Sequence, residues 1–379
     1  MHEVTPSTDV HGTCDERFGA VKEALAASLL DRDVDASAAV YLDGEPVVDL
    51  WGGSTDRTGT GPWERDTITC VFSTTKTMTA LCVLVLADRG ELDLEAPVCR
   101  YWPEFAAAGK EGVKVRHLLG HTAGLPRFEG PMATEEIYDW EAATARLAAQ
   151  APVWEPGTAH GYHALTFGYL VGEVIRRVDG RTVGTFLAEE VAGPLGADFH
   201  IGLATEHDRR VAASIADPDP ALAKLENDLL AQIWGEPAYD AGTAATAAWR
   251  RAEIPAANGY GNARSVAAVQ FVLACGGEAR GVRLLSEAGC AAVFEEQANG
   301  SDRCLGVPMR VGMGYGLPSP AMPLSPNART CYWGGRGGSL VVVDLDARMA
   351  VAYVMNQMLV TLKDTRAASV VSAAYAALA

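Results

Sequence analysis

The chain has 379 residues, of which 49% are hydrophobic and 21% are charged; this composition supplies a large core and excludes a disordered chain. No low-complexity block and no repeat of about 20–50 residues occurs, which excludes a solenoid. The net charge of −17 repels phosphate backbones and anionic lipid, so neither nucleic acid nor a membrane is expected as a partner.

The amino-terminal segment and the cysteines indicate the cellular compartment of the protein. The opening residues, MHEVTPSTDVHGTCDERFGA, lack the basic start and apolar centre of a secretory signal. The longest strongly apolar stretch, Ala80–Ala87, is too short to span a bilayer. Eight cysteines are scattered without a C-x-x-C pair or a zinc spacing, so we expect reduced thiols that pack as small hydrophobes. Together these features predict a cytoplasmic protein.

Strand and helix patterns follow one another along the chain. Residues 36–53 predict a β-hairpin, because β-branched and aromatic residues flank the Asp-Gly pair of LDGE. A helix is predicted over Thr74–Arg89, with Gly90 at its C-terminal cap. Thr330–Asn356 carries two β-branched runs around DLDARM, which predicts a second hairpin, and Ser369–Ala379 predicts a closing helix.

Strands at both ends of the chain must pair with each other to satisfy their backbone groups. The sequence therefore predicts an α/β fold of the α+β type, in which an antiparallel sheet built from both chain ends is flanked by helices. Residues 91–257, with short helical segments and Pro/Gly-rich connections, are predicted to form a mainly helical inserted domain. The sheet domain would comprise residues 12–90 and 258–379, with the active site at the interface.

Ser73 and Lys76 suggest a nucleophile and its base. They lie three residues apart at the start of the predicted helix, so both side chains share one face. The helix amides favour a developing alkoxide at Ser73, while burial and the helix dipole would depress the pKa of Lys76 toward that of a usable base. An ordinary Ser-capped helix with a solvated lysine is the alternative, because a bare Ser-x-x-Lys match is weakly specific.

Several collinear segments give the Ser-x-x-Lys match a context. This motif supplies the nucleophile of β-lactamases and penicillin-binding proteins. The other segments are VKVRHLLGHTAGLP (Val113–Pro126), VWEPGTAHGYHALTFGYLVGEVIRR (Val153–Arg177), EEVAGPLGADFHIGL (Glu189–Leu203), NGYGNARSVA (Asn258–Ala267) and SPNARTCYWGGRGGSLVVVDLDARMAVAYVMN (Ser325–Asn356). In these segments the chain resembles the class C β-lactamase-like serine hydrolases, and most of all their esterase branch, the family VIII carboxylesterases. The resemblance covers nearly the whole chain and implies a β-lactamase/transpeptidase-like fold.

The resemblance implies three catalytic side chains. Ser73 is the expected acylated nucleophile, Lys76 its proton partner and Tyr162, in GYHA, a second base that relays protons to the leaving group or water. A tyrosine beside cations is expected to have a lowered pKa. The neighbouring His163 is expected to contact the substrate.

A glycine-rich strand edge completes the implied site. WGGRGGS stands where the family has a Lys-Thr-Gly, His-x-Gly or Trp-Gly-Gly strand, so Trp333, Gly334 and Gly335 are expected to bind the substrate. Glycines allow a ligand to approach the backbone closely. By the same analogy, the amides of Ser73 and Arg336 form the oxyanion hole. A glycine-rich hairpin with a core tryptophan is the structural alternative.

Two departures from the β-lactamase pattern narrow the expected function. Ala164 replaces the asparagine that binds the lactam amide, and Trp333 replaces the cation that binds the substrate carboxylate. The leading prediction is thus a serine carboxylesterase that cleaves a small-molecule or natural-product ester, since tryptophan offers an apolar face. The alternatives are an acyltransferase with an amine or alcohol acceptor, then a β-lactamase or D-Ala-D-Ala peptidase, then an inactive binding homologue.

No metal or other cofactor is predicted. His117 and His121 are four residues apart, but no third ligand and no H-E-x-x-H motif accompanies them, so packing and hydrogen bonding are expected instead. GGRGGS lacks the spacing of a phosphate loop, and no G-x-S-x-G elbow occurs. The sequence predicts no particular oligomeric state.

Overall fold

The computed structural model describes residues 9–30, 35–55, 61–224, 239–359 and 364–379. Strands and helices occur in all parts of these ranges. The strands are β1 Val10–Cys14, β2 Ala36–Leu42, β3 Glu45–Gly52, β4 Thr69–Cys70, β5 His200–Ile201, β6 Gly259–Gly261, β7 Glu278–Ala279, β8 Val282–Arg283, β9 Ala298–Ser301, β10 Pro308–Val311, β11 Thr330–Gly334, β12 Leu340–Asp344 and β13 Met349–Met355.

The helices lie mainly between the two groups of long strands. The α-helices are α1 Gly19–Leu30, α2 Thr75–Asp88, α3 Val115–Leu119, α4 Trp140–Ala149, α5 Thr166–Asp179, α6 Val183–Phe186, α7 Ala241–Ala244, α8 Ala247–Arg251, α9 Ala263–Ala274, α10 Glu287–Ala291 and α11 Arg366–Ala376. Leu187–Ala192 is π-helical. The 3-10 helices are Glu16–Phe18, Phe72–Thr74, Val98–Arg100, Pro103–Gly109, Thr134–Tyr138, Thr205–Arg210 and Ala292–Phe294.

The central sheet joins the two ends of the chain. Its six strands are antiparallel and run in the order β1-β3-β2-β13-β12-β11. Strand β2, from the amino-terminal part, pairs along its whole length with β13, from the carboxyl-terminal part. This pairing confirms the predicted α+β fold with a sheet built from both ends.

Both predicted hairpins are confirmed. Asp43 and Gly44 connect β2 to β3 with φ angles of 48° and 105°, as a two-residue turn with positive φ at both positions requires. Strands β12 and β13 form the second hairpin, and β11 adds a third strand to it. The predicted closing helix is present as α11, which begins three residues earlier than expected.

Helices cover both faces of the sheet. The hydroxyl of Ser37 in β2 accepts a hydrogen bond of 3.1 Å from the Ala263 amide at the start of α9. The next residue, Ala38, points to the opposite face. It pairs with Tyr353 of β13, and the Tyr353 hydroxyl donates to Ser28 Oγ of α1 at 3.4 Å. Helices α9 and α1 therefore lie on opposite sides of the sheet.

The region between the two groups of strands is mainly helical and includes α3 to α8. It also contributes β5, which pairs with β6, and β6 pairs with β4 on its other side. This small sheet ties the helical region to the segment just before α2. The division into residues 12–90 with 258–379, and 91–257, stays a prediction.

Helix α2 is internal, and it carries the predicted nucleophile at its start. Every residue from Thr75 to Leu86 is buried, as expected for a helix that is apolar on all sides. Phe72, in the 3-10 turn before the helix, has a φ of 45°, a strained value for a bulky residue that is typical of functional turns. The observed bounds lie within one residue of the predicted Thr74–Arg89 at each end.

Two smaller expectations can be compared with the structure. None of the eight cysteines, all of which lie in the described residues, is paired in a disulfide, and four of them are buried. Among the described residues, no helix has both the length and the apolar character needed to cross a bilayer.

Candidate active site

Ser73 and Lys76 are in contact inside the protein. Lys76 Nζ lies 3.2 Å from Ser73 Oγ and donates hydrogen bonds of 2.8 and 2.9 Å to the carbonyls of Ala164 and Ala256. The lysine is fully buried and Ser73 is 4% exposed. Burial holds the pKa of Lys76 well below its ordinary value, because the charged ammonium loses its hydration. The two side chains thus lie together as the sequence predicted, and the amine does not reach solvent.

Tyr162 completes a hydrogen-bonded set around the serine. Its hydroxyl donates to Ser73 Oγ at 2.6 Å, and Lys76 Nζ lies 4.7 Å from the centre of its ring. The expected lowering of the pKa of Tyr162 is wrong. Burial raises it above the ordinary value, and the negative charge of Asp302 adds to the rise. The tyrosine is therefore a neutral phenol next to an amine whose pKa is lowered by burial.

His163 does not have the role that the resemblance implied. Its ring is fully buried, Nε2 accepts from the Leu125 amide at 3.0 Å and Nδ1 lies 2.6 Å from the Gly161 carbonyl. The carbonyl requires a proton on Nδ1, so both ring nitrogens are occupied by backbone groups. Burial lowers the pKa of His163 to about 4. The ring fixes the chain that follows Tyr162 and offers no polar atom to a substrate.

Trp333 packs against Tyr162. The two rings are 5.9 Å apart, and Trp333 stacks on His121 at 5.4 Å with an interplanar angle of 24°. Trp333 is only 4% exposed, so little of its ring faces solvent. Partly buried side chains pack against this pair and Ala164, namely those of Cys304, Leu305 and Met309.

The glycines after Trp333 bring the strand against the nucleophile turn. A side chain on Gly335 would place its Cβ 2.2 Å from the Val71 carbonyl. Ser339 Oγ donates to the same carbonyl at 2.8 Å and lies 3.0 Å from Thr74 Oγ1. Gly334 is exposed at the end of β11. The sequence did not single out Ser339 or Thr74, although their hydroxyls tie β11 and β12 to the turn that carries Ser73.

Arg336 lies in the turn between β11 and β12. The amide of Gly335 donates to the Ser339 carbonyl at 2.7 Å, and Gly338 donates to the Gly335 carbonyl at 3.1 Å. The Arg336 side chain is nearly buried and its guanidinium donates to the carbonyl of Tyr239. This turn is adjacent to the nucleophile turn through the hydrogen bonds of Ser339.

A small cavity, partly open to solvent, borders Arg336. The sequence also predicts that loops of the helical region, residues 127–140 and 233–249, contribute walls of the substrate pocket. Of these, residues 233–238 lie outside the described residues. The residues that line the cavity are Ala216, Asp217, Ala223, Asp240, Ala241, Gly242, Arg336 and Met358.

His117 and His121 are engaged as hydrogen-bond acceptors. The Nδ1 atom of His117 accepts from the Lys114 amide at 3.2 Å, and that of His121 accepts from the His163 amide at 3.1 Å. Within the described ranges, no group of three or more potential metal-ligating side chains occurs. The buried ring of His121 packs against both Trp333 and Tyr162, where it supports the two aromatic residues of the site.

Comparison with known proteins assigns this geometry to a family. The sequence matches the beta-lactamase family over residues 26–375. The chain belongs to the beta-lactamase family. It is 37% identical over 366 residues to the esterase/beta-lactamase LipL of Mycobacterium tuberculosis (strain ATCC 25618 / H37Rv), covering 92% of this chain and 83% of LipL.

Two solved structures match the fold of this chain. A crystal structure of a family VIII carboxylesterase shares 41% identity with a TM-score of 0.91, over 97% of this chain and 100% of that one. A penicillin-binding protein homologue from Caulobacter crescentus shares 38% identity with a TM-score of 0.89, over 97% and 100%. These relationships make the chain an enzyme of the serine-hydrolase type.

Proposed function

We propose that this chain is a carboxylesterase that acts on a small-molecule ester through an acyl group carried by Ser73. The observation that carries the proposal is the position of Ser73 Oγ, 3.2 Å from Lys76 Nζ and 2.6 Å from Tyr162 Oη. A hydroxyl placed between an amine and a phenol can lose a proton to one and receive one from the other. Nucleophilic catalysis needs this arrangement.

The hydrogen bonds around Lys76 support its role as the base. A neutral amine has two N–H groups and one lone pair, whereas an ammonium has three N–H groups. The carbonyls of Ala164 and Ala256 receive two N–H groups. In the neutral form proposed for catalysis, the lone pair is left for Ser73, whose hydroxyl can then give its proton to Lys76 while it accepts from Tyr162; in the ammonium form, the third N–H donates to Ser73 Oγ. In acylation, the serine proton passes to Lys76 as Oγ bonds to the ester carbonyl carbon.

The same side chains can transfer the protons needed for departure of the leaving group and for deacylation. The C–O bond of the tetrahedral intermediate breaks, and the alkoxide takes the proton of Tyr162, whose anion is stabilised by the Lys76 ammonium. In deacylation, the tyrosinate removes a proton from water, and hydroxide attacks the acyl carbonyl. Ser73 leaves and recovers its proton from Lys76. The Ser73 and Arg336 amides are proposed to stabilise both oxyanions.

The surroundings of the three side chains favour an uncharged ester. Trp333 and Ala164 replace the polar groups that a β-lactam needs. The apolar cluster of Tyr162, Ala164 and Trp333 continues toward solvent in Cys304, Leu305 and Met309. This apolar cluster can bind an alkyl or aryl group, and it offers no cation to a substrate carboxylate. Hydrolysis of β-lactams or D-Ala-D-Ala peptides is therefore proposed only as a weaker alternative.

Hydrolysis of p-nitrophenyl acyl esters tests the proposal. We expect steady-state release of nitrophenol and acid by the wild type and none above background by Ser73→Ala. A matched control is Ser369→Ala, because Ser369 lies in α11 with its hydroxyl on the Thr365 carbonyl. Equal rates in the wild type and Ser73→Ala would contradict the proposal, and an inactive wild type would favour a binding homologue.

Acyl transfer is the second candidate function, because it shares the acyl-enzyme and differs only in the group that attacks it. Product analysis separates the two. We expect the free acid to dominate when the ester is incubated with millimolar alcohols or amines. Transferred product in excess of the acid would replace the esterase assignment by an acyltransferase.

A further inference from the structure

Asp302 bonds directly to the backbone of Tyr162. It follows β9 and is 2% exposed. Its Oδ1 atom accepts three amide hydrogen bonds, from Tyr162 at 3.1 Å and from Cys304 and Leu305 at 2.8 Å each. One buried oxygen thus connects the catalytic segment to a loop 140 residues further along the chain.

The loop that carries Asp302 is closed on itself. The Asp302 amide donates to the Val307 carbonyl at 2.9 Å, and the Gly306 amide donates to the Asp302 carbonyl at 2.8 Å. A second bond, from the Arg303 amide to the carbonyl of His160 at 3.0 Å, fixes the loop to the chain just before Tyr162. The Asp302 side chain is therefore held on a rigid support.

The chain around Tyr162 is anchored on both sides. After it, the Ala164 carbonyl accepts from Lys76 at 2.8 Å, and His163 is bonded to Leu125. At Tyr162 itself, the amide is directed at Asp302. A phenol that must stay 2.6 Å from Ser73 Oγ needs such support, because a displacement of about 1 Å can cost on the order of 10²-fold in rate.

We propose that Asp302 is a positioning residue for proton transfer, whose buried carboxylate holds the backbone of Tyr162 so that the phenol stays on Ser73. The inference rests on the proposed function. It concerns a residue that touches neither the serine nor the ester, and it makes the loop of residues 302–307 part of the same rigid unit as the catalytic tyrosine. The positioning depends on the acceptor oxygen and not on the charge, which acts separately on the pKa of Tyr162.

A double-mutant cycle tests the proposal. We expect Asp302→Ala to lower kcat for a p-nitrophenyl ester by about 10–100-fold, with KM changed by less than about threefold. In a Tyr162→Phe background the same substitution should lower kcat by about twofold or less, because the group that it positions is already absent. A full loss in both backgrounds would overturn the positioning role.

Two conservative variants keep the test decisive if Asp302→Ala fails to fold. Asp302→Asn retains an acceptor oxygen at the same position and should keep kcat within about threefold of the wild type. Asp302→Glu retains the charge but moves the oxygen by one methylene, and should lose about tenfold or more. Equal activity of the Asn and Glu variants, or a greater loss with Asn, would contradict the proposal.

Asp344 provides the matched control. It is a fully buried aspartate whose Oδ1 accepts from the amides of Asp346 and Ala347 at 2.9 and 2.8 Å, at the end of β12 remote from Gly334. Asp344→Ala should lower the melting temperature and leave kcat within about twofold, assayed below the transition. If Tyr162→Phe lowers kcat and Asp302→Ala has the kcat of the wild type, the inference is contradicted and the esterase assignment is left intact.

Discussion

Lys76 Nζ donates to the carbonyl oxygen of Ala256 at 2.9 Å, across 180 residues of sequence. No carboxylate bonds to the amine among the described residues; its neighbours are carbonyls, a hydroxyl and the rings of Tyr162 and Phe167. A buried amine without an opposite charge is more stable when neutral. The fold therefore favours the neutral, basic form of Lys76 because it buries the amine without a counter-ion.

Replacement of Lys76 tests its role as the base. Lys76→Ala should lower kcat/KM by about 10²-fold or more, as expected when proton transfer is removed. Lys76→Arg should be as inactive as the alanine variant, because a guanidinium cannot be deprotonated at an accessible pH. Steady-state rates on a p-nitrophenyl ester measure both. Recovery of activity by arginine would show that the positive charge, and not the neutral amine, is what Ser73 needs.

The same lysine should make stability depend on pH. Its pKa in the folded protein lies well below the ordinary value of 10.5, so between the folded and unfolded values only the unfolded chain binds the proton. Stability then rises with pH through this window. Lys76→Met removes the effect, so its free energy of unfolding relative to the wild type should decline as the pH rises toward about 10, near the unfolded-state pKa of lysine. Denaturant titrations measure it; a constant difference would contradict a depressed pKa.

Loss of the Tyr162 hydroxyl should depend on the leaving group. Tyr162→Phe should cost on the order of 10²-fold or more for an alkyl ester, whose alkoxide needs a proton, and distinctly less for a p-nitrophenyl ester. Comparison of kcat/KM for the two esters in the variant and wild type gives the result. Equal losses for both esters would remove Tyr162 from leaving-group protonation, and wild-type rates would remove it from the mechanism.

Gly335 should tolerate no side chain. A Cβ there would lie 2.2 Å from the Val71 carbonyl and 2.3 Å from Ser339 Oγ, whereas at Gly334 the nearest atom is 3.4 Å away. Gly335→Ala is expected to cost about 1–3 kcal/mol of unfolding free energy, as other overpacking substitutions do. Gly334→Ala, the matched control for stability, should cost less than about 1 kcal/mol. Thermal unfolding compares them, and equal melting temperatures would show that the two turns are further apart than described.

The sequence predicted the elements whose signals are local. The Asp-Gly turn of the first hairpin and the apolar run of α2 depend on neighbours within a few residues, and both are confirmed. Strand β1 was missed because VHGTC contains a glycine and lacks an alternating pattern. Its pairing with β3 depends on tertiary context.

The residues of the site likewise differ in whether a local sequence pattern could predict them. Ser73 and Lys76 could be placed together because helical spacing joins them, whereas the pKa of Tyr162 depends on burial that only the folded chain determines. His163 was assigned to the substrate, but its ring nitrogens bond to Leu125 and Gly161, a local arrangement that no motif encodes. Asp302 could not be found, since its link to Tyr162 spans 140 residues.

The acyl-enzyme is the most direct measurement of the central idea. The wild type is mixed with an activated ester, quenched in acid within the first turnovers, and analysed by intact mass and peptide mapping. We predict an increase by the mass of one acyl group, located on Ser73 and absent from Ser73→Ala. An acyl group found on another residue, or hydrolysis that continues in Ser73→Ala, would contradict the account.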